Sequence, residues 1–382
     1  MNEYTASADI FDSTLRDGAQ GEGICFSVED KLKIVRTLDA LGVAYIEAGN
    51  PGSNPKDPEF FARAAALPLQ NARLVAFGAT RRKNTLPHND ASLHALLNAN
   101  TPAVAVFGKC WDLHATEVLG VSLDENLLMI NQTCGFLKAN DREVIFDAEH
   151  FFDGYKNNPG YALHALEAAL SGGADALVLC DTNGGSFPEE IAQAVKAVAA
   201  RYPDARLGIH CHNDGGLAVA NSIAAVDAGT RQVQGTLLGI GERCGNANLA
   251  TVIANLQIKK NIRCIPPEKL ELLTVTARSL ADISNLQLSN TQPYVGLSAF
   301  AHKAGMHADG VLKLSRSFEH IPPEAVGNER RFLMSEMTGR TAVLQKVRAL
   351  APGLDRDSPE IRAILERLKA LESAGYQFEG AE

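Results

Sequence analysis

Two histidines separated by a single residue are the strongest indication of a chemically active site in this chain. His210 and His212 lie within Gly208–Gly216, which reads Gly-Ile-His-Cys-His-Asn-Asp-Gly-Gly. Leu207–Cys211 has the pattern of a short buried strand, and side chains alternate between the two faces of a strand. Both imidazoles therefore point the same way at a strand end, where they form half of a metal site. Packing of the rings in the core is the alternative interpretation.

Two further segments offer oxygen ligands for the same ion. An Asp-Ser-Thr-Leu-Arg-Asp run ends at Asp17 after the first predicted strand, and Gly241–Asn248 contains Asn246 after the last one. Carboxylate, imidazole and amide groups from different strands leave open coordination positions, which is typical of a catalytic rather than a structural metal. The mixed oxygen and nitrogen set fits zinc, manganese, cobalt or magnesium, so the identity of the metal stays open.

Eight short β-rich runs recur along the chain, and each is followed by a helical pattern rich in alanine and leucine. They are Ala8–Ser13, Val43–Ala48, Arg73–Gly78, Ala103–Phe107, Glu143–Asp147, Ala176–Cys180, Leu207–His212 and Arg231–Thr236. This alternation predicts an α/β fold, a (β/α)8 TIM barrel, with catalytic groups at the carboxyl ends of the strands. A flavodoxin-like or dinucleotide-binding sheet competes, but no Gly-x-Gly-x-x-Gly follows the first strand and eight units exceed its needs.

Helical patterns separate the strands and continue beyond them. Those between strands include Val28–Leu41, Leu123–Ala139, Tyr161–Ser171, Pro188–Arg201 and Gly216–Ala228. Beyond about residue 265 the alternation ends, and the remaining helical patterns are Pro266–Leu280, Arg340–Ala349 and Ser358–Ser373. We therefore predict a barrel catalytic domain over residues 1–275 and a small, mainly helical subdomain over residues 276–382 that caps the barrel mouth.

The composition argues against several classes of partner. With 36 Lys and Arg against 45 Asp and Glu, the net charge is −9, and nucleic acids and anionic membranes require a basic footprint instead. No stretch is apolar and long enough to span a bilayer, and the amino terminus lacks a secretory signal, so we expect a cytoplasmic location. Seven cysteines, an odd number without metal-binding spacing, are expected to be reduced thiols.

A metal with open positions suits a 2-oxo acid, because the ketone and carboxylate oxygens chelate the ion and the ion polarises the ketone. Arg16, beside the ligand Asp17, is placed to stabilise the oxyanion that develops when a carbon nucleophile adds to that ketone. A salt bridge from Arg16 to Glu47 or Asp17 is the alternative role.

Making a carbon nucleophile requires a base. The candidates are Glu149, after the fifth strand, and His307 in the predicted cap, since a histidine delivered by a lid suits proton abstraction near neutral pH. A surface histidine is the alternative for His307. Thr182, after the sixth strand, is placed to bind the substrate carboxylate, although Asp-Thr at a strand end is also a common helix cap.

Four motifs together resemble those of the DRE-TIM metallolyases, which include 2-isopropylmalate, homocitrate and citramalate synthases and 3-hydroxy-3-methylglutaryl-CoA lyase. They are Asp12-Ser-Thr-Leu-Arg-Asp-Gly-Ala-Gln20, His210-x-His-Asn-Asp214, Gly241-Glu-Arg-Cys-Gly-Asn-Ala-Asn248 and Phe300-Ala-His-Lys-Ala-Gly-Met-His-Ala-Asp-Gly310. The last is similar to the cap motif of the family's condensing branch. Stretches such as Asp181-Thr-Asn-Gly-Gly185 look most like the bacterial citramalate synthase group of that branch.

The resemblance implies an acyltransferase that converts the acyl group into an alkyl group on transfer. In this Claisen condensation, acetyl-CoA is deprotonated and attacks a metal-bound 2-oxo acid, and the thioester is then hydrolysed. The metal ligands it implies are Asp17, His210, His212 and Asn246. The catalytic and substrate-binding residues it implies are Arg16, Glu149, His307 and Thr182.

Within the family, the resemblance favours pyruvate as the acceptor, giving citramalate for branched-chain amino-acid biosynthesis (isoleucine, leucine). It also implies a homodimer. The alternatives are a 2-isopropylmalate synthase that uses 2-oxoisovalerate and a lyase that cleaves a 3-hydroxyacyl-CoA. The chain ends with Tyr376–Glu382, where relatives continue into a regulatory domain, so we expect that domain to be absent here.

Overall fold

Eight parallel strands close into a barrel in the computed structural model, which describes residues 4–303, 305–333, 339–348 and 350–376. The strands are β1 (Asp9–Asp12), β2 (Tyr45–Gly49), β3 (Arg73–Ala79), β4 (Ala103–Lys109), β5 (Glu143–Glu149), β6 (Ala176–Asp181), β7 (Leu207–Cys211) and β8 (Gln232–Gly235). Consecutive strands pair in parallel, and β1 also pairs with β8. The predicted barrel is confirmed, with one strand at each predicted position.

Helices connect successive strands of the barrel. They are α1 (Val28–Leu41), α2 (Asp57–Ala64), α3 (Ala91–Asn98), α4 (Leu123–Ala139), α5 (Phe151–Asn157), α6 (Pro159–Ser171), α7 (Pro188–Arg201), α8 (Ala218–Ala228) and, after β8, α9 (Leu249–Ala254). Helices α1, α4 and α7 have the predicted bounds, and α2, α3, α5 and α9 add to the predicted set. Within the described ranges, every helix is too short or too polar to cross a membrane.

The two ends of α1 show how the sequence sets such boundaries. Ser27 Oγ accepts a hydrogen bond from the backbone N–H of Asp30, and the Asp30 carboxylate accepts one from the N–H of Ser27, both at 3.1 Å. These reciprocal bonds satisfy two otherwise unpaired donors at the start of the helix. Gly42, with a φ of 95°, ends the helix in the left-handed conformation that glycine adopts without strain.

Side chains fill the barrel interior in layers along the strands. Near the amino-terminal end, the Tyr45 hydroxyl donates to Glu143 at 2.7 Å, and Arg206 donates to the same carboxylate oxygen at 3.1 Å. A buried apolar cluster that includes Phe11 and Val178 occupies the interior. The barrel therefore has a packed core, and a polar site has room only where the strands end.

The contacts of the described residues group the chain into two compact units, Met1–Lys269 with Thr276–Gln287, and Leu270–Val275 with Leu288–Glu382. The helices beyond the barrel are α10 (Leu273–Ile283), which has residues in both units, and α11 (Gly305–Lys313), α12 (Arg340–Val347) and α13 (Pro359–Ser373) of the second unit. The mainly helical character of the carboxyl-terminal region is confirmed. The predicted boundary after residue 275 stays a prediction, and the chain end at residues 377–382 lies outside the described residues.

Candidate metal centre and active site

Three buried side chains place one ligand atom each around a common point. Asp17 lies in the turn after β1, His210 lies in β7, and His212 follows β7. Asp17 Oδ2 lies 3.6 Å from His210 Nε2 and 3.8 Å from His212 Nε2, and the two Nε2 atoms are 3.4 Å apart. Atoms bonded to one ion at about 2.0–2.2 Å, with angles of about 90–120° at the ion, lie roughly 2.8–3.8 Å from each other. The three predicted ligands therefore converge closely enough to share an ion.

Asn246 lies directly against this trio. Its Nδ2 donates to Asp17 Oδ1 at 2.8 Å and to the backbone oxygen of Ile240 at 3.1 Å. Its Oδ1 is buried and has no hydrogen-bond partner within the described part of the chain. A buried amide oxygen without a donor is suited to a cation, because buried polar atoms are otherwise nearly always paired. Carboxylate, imidazole and amide groups make up a donor set that suits a divalent metal, and Asp17, His210 and His212 bring their ligand atoms together.

The electrostatics of the trio favour the protonation states that bind metals. Burial, together with the neighbouring His212, lowers the pKa of His210 to about 4, although Asp17 opposes the shift. Burial also lowers the pKa of His212. For Asp17, burial alone would raise the pKa, but Arg16 and the two imidazoles hold it well below its ordinary range. At neutral pH the site thus presents two neutral imidazoles and one carboxylate.

Arg16 joins Asp17 to a second buried carboxylate. Its Nη1 donates to Asp17 Oδ2 at 2.8 Å, and its Nε donates to Glu47 Oε2 at 2.6 Å. The guanidinium carbon lies 3.8 Å from the centre of the Phe77 ring, which is within cation–π distance. Arg16 therefore makes both salt bridges of its alternative role and also lines the cavity beside the trio. Its action on an oxyanion stays a prediction.

A cavity of about 220 Å³ opens beside these residues. Phe77, near the end of β3, and Phe107, in β4, line it, and their rings are stacked with centroids 5.4 Å apart. Cys180, from β6, lines it as well. The cavity therefore has aromatic and small apolar surface next to the candidate metal ligands, which is a combination suited to a small ligand with one polar end.

The structure places Glu149 and Thr182 on the lining of the same cavity. Glu149 forms an ion pair with Lys109 of the adjacent strand, and the two residues are register partners. Thr182 Oγ1 accepts a hydrogen bond from the backbone N–H of His150 at 2.8 Å. Both predicted residues thus lie beside Arg16, while their catalytic and binding roles stay predictions.

The predicted set of catalytic, binding and metal-ligating residues leaves out several polar residues of the site, among them Asp147 and Gln234. Asp147 lines the cavity, and Gln234 Nε2 donates to Asp147 Oδ1 at 3.0 Å. Burial and the nearby Glu47 carboxylate raise the pKa of Asp147 to about 8. The available signals were its position two residues before Glu149, which puts both on one strand face, and a glutamine inside a buried strand.

His307 lies in α11 of the second compact unit. Its side chain is exposed, and its ring centroid is 4.7 Å from that of Phe318. Its predicted action on acetyl-CoA stays a prediction. Ala304 of the same motif lies outside the described residues.

The chain is similar to two curated citramalate synthases in sequence and to a solved lyase structure in fold. An (R)-citramalate synthase of Aquifex aeolicus is 53% identical over 98% of this chain and 71% of that protein. An (R)-citramalate synthase of Synechocystis is 51% identical over 98% of this chain and 70% of that protein. The crystal structure of HMG-CoA lyase from Bacillus subtilis is similar with a TM-score of 0.63 and 20% identity, over 75% of this chain and 97% of that one. The last similarity concerns the fold.

Family models match both parts of the chain. A model described as homocitrate synthase post-HMGL domain-like matches residues 294–375, and the HMGL-like model matches residues 7–285. The resemblance expected from the motifs is confirmed, since the barrel and the region that follows it each match a model of the expected kind. With most of its length covered by that barrel model, the chain belongs to the HMGL-like family.

Proposed function

We propose that this chain is a citramalate synthase, which condenses acetyl-CoA with pyruvate and releases CoA. The proposal is carried by the 53% identity to an (R)-citramalate synthase over 98% of the chain. The convergence of Asp17, His210 and His212 beside a small cavity supports it, because adding a carbon nucleophile to a 2-oxo acid needs an electrophilic ketone.

A divalent ion is part of this proposal. Asp17, His210 and His212 would hold it, with Asn246 as the fourth ligand. When bound, the ion acts as a Lewis acid that polarises the ketone of the acceptor. Zinc, manganese, cobalt and magnesium all suit the donor set.

The remaining residues have separate roles in the condensation. Glu149 or His307 removes a proton from the acetyl methyl group, and that carbon forms the new bond to the ketone carbon. Arg16 supplies positive charge where the ketone oxygen becomes negative. Thr182 already accepts a bond from a backbone N–H, so its own hydrogen is left for the acceptor's carboxylate. Water then cleaves the thioester and CoA leaves.

The cavity supports a small 2-oxo acid as the acceptor. Its volume of about 220 Å³ holds such a molecule, and Phe77 and Phe107, stacked on its lining, offer apolar contact for a short side chain. The choice of pyruvate within this class is supported by the citramalate synthase relatives. Each methylene by which two substrates differ in an apolar pocket changes the free energy of discrimination between them by about 1–3 kcal/mol. Because an isopropyl group has two methylene equivalents more than a methyl group, we expect pyruvate to be preferred to 2-oxoisovalerate by at least roughly 30-fold in kcat/KM.

Steady-state turnover with pyruvate, 2-oxoisovalerate and 2-oxoglutarate, each with acetyl-CoA and a thiol reagent for released CoA, tests the proposal. Pyruvate is expected to give the highest kcat/KM. A preference for 2-oxoisovalerate would identify a 2-isopropylmalate synthase instead. Release of acetyl-CoA from 3-hydroxy-3-methylglutaryl-CoA would identify a lyase. Normal turnover by Arg16→Ala would show that the reaction does not use this site.

A cytoplasmic location and a homodimer also belong to the proposal and stay predictions. Light scattering on the purified protein measures the mass directly. A mass near twice 40.8 kDa is expected. A monomeric mass would contradict the homodimer but leave the proposed reaction intact.

A further inference from the structure

Two glutamines of β8 point into the barrel, and they differ in what they contact. Gln232 and Gln234 are both fully buried and, being two residues apart, lie on the same face of the strand. The amide atoms of Gln232 have no hydrogen-bond partner in the part of the chain that the structure describes. Gln234 is register partner to His210, and its Oε1 lies 3.0 Å from His210 Nδ1.

The two ends of the Gln234 amide have different hydrogen-bonding roles. An amide donates only through its nitrogen, and Gln234 Nε2 donates to Asp147 Oδ1 at 3.0 Å. Its oxygen, which can only accept, therefore faces His210 Nδ1. With the amide in this orientation that ring nitrogen carries the hydrogen, so the lone pair of a neutral imidazole is on Nε2. His210 Nε2 is the atom that lies 3.6 Å from Asp17 Oδ2 and 3.4 Å from His212 Nε2.

The other imidazole of the trio lacks such a partner. His212 Nδ1 is buried, and no hydrogen-bond partner for it exists among the described residues. A side chain therefore fixes the ring of His210 but not that of His212. The hydrogen-bond partners of ligating histidines set the tautomer and the ring orientation, and their loss typically costs 10–100-fold in metal affinity.

We propose that Gln234, anchored by Asp147, is a positioning residue that selects the Nδ1-protonated tautomer of His210 and so presents Nε2 to the cation. The inference rests on the metal centre of the proposed function. It concerns the binding of the ion, so it can be measured without any acceptor or thioester present.

Mn²⁺ binding to protein freed of metal with EDTA tests the inference. Free Mn²⁺ is followed by electron paramagnetic resonance in the wild type, in Gln234→Met and in Gln232→Met. Gln234→Met is expected to raise the Kd about 10–100-fold, and Gln232→Met, the matched buried glutamine without partners, to leave it within about twofold. Equal Kd values for Gln234→Met and the wild type would overturn the inference, and so would an equal loss in both variants.

A second measurement separates positioning from a general loss of packing. Long-range ¹H–¹⁵N spectra of the histidine rings in the metal-free protein report which nitrogen carries the hydrogen. The wild type is expected to show His210 protonated on Nδ1, and Gln234→Met to lose that preference. An Nε2-protonated ring in the wild type would overturn the inference. Loss of citramalate formation with normal Mn²⁺ binding and the expected tautomer would refute the proposed reaction alone.

A charge-conserving exchange gives the rescue. In the double variant Gln234→Glu with Asp147→Asn, the new carboxylate accepts from His210 Nδ1 as the Gln234 amide oxygen does, so the bond to His210 keeps its direction. The bond between positions 234 and 147 is retained with its direction reversed, since the new amide at position 147 donates to the carboxylate. Its Mn²⁺ affinity is expected to return to within about threefold of the wild type. If the double variant melts like the wild type but binds Mn²⁺ as weakly as Gln234→Met, hydrogen-bond direction is not what Gln234 contributes.

Discussion

Replacing Asp147 by asparagine should remove a pH-dependent cost to the stability of the barrel. Burial and the Glu47 carboxylate raise the pKa of Asp147 from 3.8 to about 8, although Arg16 and Gln234 oppose the shift. Between these two values the folded protein holds a proton that the unfolded chain has lost. The free energy of unfolding therefore falls as the pH rises, by at most about 1.4 kcal/mol per pH unit. Asparagine does not titrate and carries no such cost.

Between pH 5 and pH 7 the free energy of unfolding of the wild type therefore falls by about 2.7 kcal/mol relative to that of Asp147→Asn. The unfolding entropy is roughly 2.1 cal/mol/K per residue, so for a chain of 382 residues this change in the free energy of unfolding corresponds to a change of about 3 °C in Tm. The Tm of Asp147→Asn minus that of the wild type should therefore grow by about 3 °C over this range. Thermal melts of both proteins in EDTA at pH 5, 6 and 7 measure it. A constant difference, or one that shrinks, would refute the assignment of a bound proton to Asp147.

Asp214 provides a control of opposite sign. Hydrogen bonds from Arg243 hold the pKa of the Asp214 carboxyl below its ordinary range. The stability that comes from a depressed carboxyl pKa is fully present above the unfolded value and is lost only as the pH falls towards the folded value. Asp214→Asn should therefore differ from the wild type by a constant Tm between pH 5 and 7.

Three further substitutions test the cavity, the cation beside it and a buried ion pair between helices α1 and α2. Phe107→Ala should enlarge the cavity and raise kcat/KM for 2-oxoisovalerate relative to pyruvate by about 10–100-fold; an unchanged ratio of CoA release rates would contradict this. Arg16→Lys should lower kcat at least about tenfold, because lysine cannot hold Glu47 and the neighbouring carboxylate at once; equal kcat would argue against it. Lys31→Met should lower the free energy of unfolding by about 3–5 kcal/mol, because Asp57, whose Oδ1 lies 2.5 Å from Lys31 Nζ, is left as a buried charge without its cation. Thermal melts should show a Tm several degrees lower, and an unchanged Tm would contradict this.

The barrel could be predicted from the sequence because each strand carries its own signal. Fully buried parallel strands read as short apolar runs, and here each run is followed by a helix with a recognisable start or stop, such as Ser27 and Gly42 around α1. The convergence of His210 with His212 followed from strand alternation alone. Asp17 and Asn246 came from segments that follow the first and last strands, which are neighbours only because the barrel closes.

The missed residues are those whose importance depends on a neighbour in another strand. Gln234 reads as one polar residue in a buried strand, and only the register that pairs it with His210 gives it a role. Asp147 reads as part of an apolar run, and its raised pKa comes from surroundings supplied by other strands. Strand alternation gives the face of a side chain, whereas register and barrel stagger give its partners, and those are set by packing of the whole ring.

The pleat of the strands also explains why the site has two levels. In β4 and β5 the interior positions come in pairs: Phe107 lies beneath Lys109, and Asp147 lies beneath Glu149, with both levels in register across the two strands. The upper residues pair with each other at the rim, where Glu149 also lines the cavity, and the lower ones line it from within the barrel. We therefore expect substitutions at the lower level to change which acceptor is chosen and those at the upper level to change turnover. A one-residue slip of either strand would turn both of its interior side chains towards the helices, so the two properties depend on the same register.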